Sequence, residues 1–188
     1  MRRAGFGTEP GDEQTRVIWN GSDGLRLMAA ERWAEARDAA AVWEVALRAM
    51  GFDHPATKHA YTVWVTCSYR LGDTAAVRSF IERISSLNPS QRTPLHEAQR
   101  LRFIALLGDC ESPAVALASA ADILRRRGLK FQLMLVQADA AEFLAASQPD
   151  AAAVALDEAR ELVAEMGAAT IGRRLDELTP ASRAAARA

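Results

Sequence analysis

The stretch PATKHAYTVWVTCSYRLGDTAAVRSFIERISSLNP, running from Pro55 to Pro89, decides the fold. Pro55 suits the first turn of a helix, where its missing amide has no partner to lose. Behind it Tyr61, Trp64, Val65, Ser68 and Leu71 recur at three- and four-residue steps, the spacing of one helix face. Gly72-Asp73 interrupts the pattern, and a second stripe follows in Val77, Phe80, Ile81, Ile84 and Leu87. Asn88-Pro89 ends it, because Asn tolerates the left-handed conformation that closes a helix and Pro forbids continuation. The segment predicts a helical hairpin with helices over about 55–71 and 74–87.

Outward from this segment the same punctuation recurs. Helical patterns stop at Gly51, Asn88, Gly128 and Gly167, positions 37, 40 and 39 residues apart. Between them fall the breaks Glu31-Arg32-Trp33, Leu71-Gly72-Asp73, Leu107-Gly108-Asp109 and Ser147-Gln148-Pro149-Asp150. Pro113 opens the second helix of the third hairpin. The fourth hairpin carries Leu133, Val136, Ala140, Phe143 and Leu144, then Val154, Leu156, Ala159, Leu162 and Val163. A period near 40 residues is that of stacked helical repeats, in which one hairpin buries the apolar face of the next. The expected fold is all-α: about four helical hairpins (13–52, 53–90, 91–129 and 130–168) and a closing helix over 169–178. Gly21 and Gly24 interrupt the first hairpin, so its first helix is expected to begin near Ser22 or Asp23. Residues 1–12 and 179–188 read as disordered ends.

These residues resemble a tetratricopeptide (TPR) repeat. Read from Lys58, the second hairpin has Tyr61, Trp64, Gly72-Asp73, Val77, Ile81 and Pro89 at family positions, with Val65 and Ser68 where the family favours Gly and a Tyr-like ring. The end of the chain resembles the C-terminal helical repeats of large bacterial signalling ATPases, which join a nucleotide-binding core to adenylate-cyclase or LuxR-type DNA-binding domains. That likeness runs through Gly128-Leu129-Lys130-Phe131, Ala141-Glu142-Phe143-Leu144, Asp157-Glu158-Ala159-Arg160-Glu161-Leu162, Met166-Gly167-Ala168 and Arg173-Arg174-Leu175-Asp176-Glu177-Leu178. The resemblance implies a right-handed α-α superhelix of TPR-like hairpins and no catalytic residue. No Gly-x-x-x-x-Gly-Lys-Ser/Thr phosphate loop is present, so the ATPase core is not in this chain. The chain is then either a piece of a larger regulator or a stand-alone repeat protein.

Composition fits this picture. In 188 residues, 23 Lys and Arg oppose 24 Asp and Glu; the net charge of −1 argues against a broad nucleic-acid footprint. No apolar run approaches the ~20 residues of a membrane span, and the basic start lacks the apolar stretch of a signal peptide. Two cysteines, Cys67 and Cys110, cannot build a disulfide framework and fit a reducing cytoplasm. Cys67 reads as a small buried hydrophobe and Cys110 as a turn residue.

Few residues offer chemistry. His96-Glu97-Ala98-Gln99-Arg100 begins like a zinc-protease helix, but a guanidinium at Arg100 cannot bind zinc. Asp53, His54 and His59 read as loop and cap residues rather than as a metal set. Paired carboxylates at Asp12-Glu13, Asp157-Glu158 and Asp176-Glu177 fit ion pairs on wet helix faces. Arg125-Arg126-Arg127 ends a helix, where cations meet the carbonyl end of the dipole; phosphate binding there is the lesser reading. No catalytic, cofactor or metal residue is therefore expected, and the chain does not read as an enzyme.

The remaining signal is a surface. The TPR register places His59, Thr62, Thr66, Tyr69 and Arg70 on the inner face of the second hairpin, polar and aromatic groups suited to an extended peptide. It places Arg102 inside the third hairpin and Glu142 inside the fourth, where they could pair. Trp19, beside Asn20-Gly21-Ser22, is the docking candidate among four tryptophans, and core packing is expected to take two or three of them. The expected function is a protein-interaction or regulatory scaffold for a peptide, a partner domain or neighbouring domains of a larger regulator. The alternative is a ligand-sensing domain of a bacterial signalling or transcriptional regulator. Homo-oligomerisation is left open, and neither membrane nor nucleic acid is an expected partner.

Overall fold

The computed structural model describes residues 13–42, 51 and 54–178, and all of its regular structure is helical. Among the described residues, nine α-helices and one 3₁₀ turn are present and no strand. They are α1 (Glu13–Ala29), α2 (Trp33–Ala40), α3 (Pro55–Arg70), α4 (Thr74–Ser85), α5 (Pro94–Leu106), α6 (Pro113–Arg126), α7 (Lys130–Leu144), α8 (Pro149–Met166) and α9 (Ala169–Glu177), with the 3₁₀ turn at Pro89–Gln91. The helices expected over 55–71 and 74–87 are α3 and α4. The expected end segments 1–12 and 179–188, and Trp43 and Asp53, lie outside the described residues.

The chain divides into two compact bodies, Met1–Ala76 and Val77–Ala188. In the first, α1, α2 and α3 each pack on the other two. They come close together at Gly24, where an added Cβ would lie 3.2 Å from Val63 Cγ1 and 3.4 Å from the Ala36 carbonyl oxygen. This corrects the expected start near Ser22 or Asp23: α1 begins at Glu13 and runs through both glycines. A helical glycine costs about 1 kcal/mol against alanine, and here its bare Cα lets two neighbouring helices come close. Leu27, Met28, Ala36 and Ala40 are buried in this body.

In the second body each helix from α5 onward packs on the next in chain order, and α5 also reaches α7. Val77, Phe80 and Ile84 of α4 are buried, and the Phe80 ring meets Phe103 of α5 edge to face, with centroids 6.5 Å apart. The helix α7, enclosed by α6, α8 and α5, is buried on every side from Gln132 to Ala141. Three stripe assignments need correction. Leu71 and Phe143 stand at the surface, and Val154 is 71% exposed because the buried stripe of α8 runs through Ala152, Ala155, Leu156, Ala159 and Leu162.

Among the described residues, α6 and α8 end at the expected stops Gly128 and Gly167, α2 ends at Ala40 rather than running on toward Gly51, and one stop differs in its conformation. Gly51, Gly128 and Gly167 have φ of +79°, +66° and +65°, and Gly72 and Gly108 of both Leu-Gly-Asp turns share this left-handed conformation. In those turns the amides of Asp73 and Asp109 reach back to the carbonyls of Ser68 and Ile104, at 2.9 Å each, closing the helices behind them. Asn88 is the exception: its φ of −58° and ψ of 147° are extended. The chain there enters the Pro89 turn directly, and Pro favours an extended residue before it.

Candidate functional site

The aspartates of the two Leu-Gly-Asp turns do more than follow a cap. Arg37 of α2 reaches Asp73 at 3.4 Å, and Asp73 Oδ1 also accepts the Ala76 amide, capping α4. Arg78 of α4 grips Asp109 through two bonds of 3.1 and 3.2 Å. In both cases an arginine of one helix holds the turn that follows the next helix. Further along, Arg125 of α6 grips Glu158 of α8 at 3.0 and 2.8 Å, and Lys130 meets Glu165.

The groove residues expected from the repeat register do not form one surface. His59 is exposed on α3, and Tyr69 and Arg70 are half-buried ten residues further on, about 15 Å along the axis. Protein around the His59 ring, and then the Lys58 charge, hold its imidazole below the ordinary 6.5. The Arg70 guanidinium lies 6.0 Å from the Trp33 ring centroid and 5.9 Å from that of Tyr69, cation–π range for both. Thr62 and Thr66 are buried, and the Thr62 hydroxyl donates to the Lys58 carbonyl at 2.8 Å, as threonines in mid-helix do. Neither threonine is open to a partner.

Arg102 is likewise buried, and it pairs with Asp139 rather than Glu142. Its Nε donates to Asp139 Oδ2 at 2.8 Å, a terminal nitrogen lies 2.6 Å from the same oxygen, and the other donates to Gln99 at 3.2 Å. The guanidinium also lies over the Phe103 ring, 4.7 Å from its centroid. Asp139 sits in the fully buried stretch of α7, where a guanidinium taken out of water must find its counter-charge; Glu142 is only half-buried. Trp19 is 42% exposed, next to exposed Ile18, while Trp33 and Trp64 are half-buried.

His96 is part of a cap. It is buried, and its Nδ1 accepts the Thr93 amide at 3.1 Å while its own amide donates to the Thr93 hydroxyl at 3.3 Å. This reciprocal pair starts α5, with a histidine where glutamate or glutamine is usual. Among the described residues no three His, Cys, Asp or Glu side chains gather as a metal set, and no helix is long and apolar enough to cross a membrane. Cys67 is buried and Cys110 partly so.

The feature the sequence did not reveal lies beside this cap. A cleft of about 370 Å³ opens among Pro89, Arg92, Thr93, Pro94, Glu97, Ile123, Arg126 and Arg127. Arg92 donates to the carbonyls of Leu87, at 3.0 Å, and Ser85, so it reaches the Glu97 carboxylate through its charge and not through a hydrogen bond. Glu97 is bridged by Arg100 at 2.6 and 3.0 Å. That hydrogen bond holds its carboxyl below the ordinary 4.5 against partial burial, and the charges of Arg100 and Arg92 add to it. The Arg125-Arg126-Arg127 triplet divides its labour: Arg125 is engaged by Glu158 and Asp122, while the side chains of Arg126 and Arg127 are exposed and make no ion pair or hydrogen bond among the described residues. The sequence showed the triplet, but not that the loop 87–94 would fold back beside it.

No protein-family model, no curated protein and no solved structure matches this chain.

Proposed function

We propose that the chain is a TPR-like array of helical hairpins, wound as a right-handed superhelix, that serves as a protein-interaction or regulatory scaffold for a peptide or a partner domain. The observation that carries this reading is the repeated clamp, Arg37 on Asp73 and Arg78 on Asp109, at matching places in successive hairpins. The packing of α5 to α9 agrees with it: each helix packs on the next and α5 also reaches α7, as expected where each hairpin contacts only the neighbouring hairpins. Such a scaffold works passively: its side chains are held by packing, and the partner supplies whatever chemistry follows. The likeness to bacterial signalling ATPases suggests a cytoplasmic regulator as its setting, and the scaffold needs no cofactor or turnover.

The test is reconstitution. Partners recovered by affinity capture on the full chain are purified singly and titrated against it by calorimetry. At least one should bind saturably at a one-to-one or other fixed ratio. If every recovered protein fails to bind once purified, the scaffold reading falls. The cleft favours a second reading, a ligand-sensing domain, because its volume lies in the range of small-molecule sites. A small anion that raises the melting temperature with no protein partner present would support that reading instead.

A further inference from the structure

We infer that the cleft at the end of α6 binds an acidic peptide segment in which a carboxylate side chain stands next to an apolar one. This rests on the scaffold reading and names the chemistry of its partner. Arg126 and Arg127 reach the cleft from α6 and its cap, and neither has a partner among the described residues. Arg92 adds a third guanidinium whose hydrogen bonds go to carbonyl oxygens. The single carboxylate in the wall, Glu97, is already bridged by Arg100. The cleft therefore holds uncompensated positive charge on planar forks whose geometry matches a carboxylate.

Other occupants fit less well. Pro89, Pro94 and Ile123 provide apolar walls that a bare ion would leave unused. A nucleic acid needs a broad basic face, and the chain as a whole carries a net charge of −1. An extended peptide with alternating acidic and apolar side chains uses both the charge and the walls.

The test titrates isotope-labelled full chain with two capped peptides, one containing Leu-Glu-Glu-Leu and the other Leu-Gln-Gln-Leu, and follows backbone amide shifts. The Glu peptide should saturate shifts at Thr93, Glu97, Ile123 and Arg127. Its affinity should fall about tenfold in the variant R126Q/R127Q, and again when salt rises from about 50 to 300 mM. The Gln peptide should not saturate, and R125Q should bind as the parent does. R126Q/R127Q should stay folded with a melting temperature close to the parent's, since these side chains make no ion pair and lose only their place at the carbonyl end of α6. Equal binding of both peptides, shifts confined elsewhere, or full affinity in R126Q/R127Q would overturn the inference. So would a phosphoserine peptide that saturates the cleft while the Glu peptide does not. A purified partner that binds R126Q/R127Q unchanged would sink the cleft and leave the scaffold standing, whereas failure of every purified partner would sink the scaffold itself.

Discussion

Arg102 and Asp139 illustrate what one buried pair demands of a sequence. Both side chains are at most 2% exposed, so each charge depends on the other and on Gln99 for what water would have supplied. Asp139→Ala should cost about 3–5 kcal/mol in urea unfolding, because it strands a buried guanidinium. Replacing both partners, Arg102→Met with Asp139→Leu, should recover most of that loss. Backbone conformation sets a second contrast. Gly108→Ala should cost about 1 kcal/mol, since φ is +72° there, whereas Asn88→Gly should bring no gain, since Asn88 is already extended. The sequence marked Asn88 as a stop and Gly108 as a break within a hairpin, and expected the left-handed conformation at Asn88. Only the structure separates their conformations, because Pro89 alone suffices to end the pattern at Asn88.

At the scale of elements, α3 and α4 were legible because each shows one apolar face bounded by Pro, Gly or Asn. The helix α1 was misread because the cost of helical glycine is local while its benefit is tertiary: Gly24 lies against Val63 and Ala36, residues far along the chain. Gly24→Ala tests this directly. Intrinsic propensity would stabilise α1 by about 1 kcal/mol, but a Cβ 3.2 Å from Val63 and 3.4 Å from a backbone oxygen should reverse the sign. A lower melting temperature is the expected result. The phase of α8 was off at Val154 because alanines fill much of its buried stripe, and alanine carries little hydrophobic signal. The candidate site was legible only as an arginine triplet. Its walls come from Pro89, Thr93 and Pro94 some thirty residues earlier, and sequence spacing does not disclose that proximity.

For the whole molecule, charge pairing within and between helices gives stability a predictable pH dependence. Hydrogen bonds from Arg125 and Gln137 lower Glu158 from 4.5 as that from Arg100 lowers Glu97, so both carboxyls bind protons less readily folded than unfolded. Their contribution is present above about pH 4.5 and is lost as acid carries the pH below it through their folded values. Urea midpoints should therefore change little on this account between pH 7 and 5 and fall below that range, with a smaller fall in E97Q/E158Q. The packing of Val77–Ala188 is the central claim, since the Arg78–Asp109 clamp, the enclosed α7 and the cleft beside α6 all depend on it. Native-state hydrogen exchange measures it most directly. Slowest exchange from Leu133 to Ala140 in α7, with faster exchange in the terminal α9, is the expected result; exchange in α7 as fast as in α9 would contradict it.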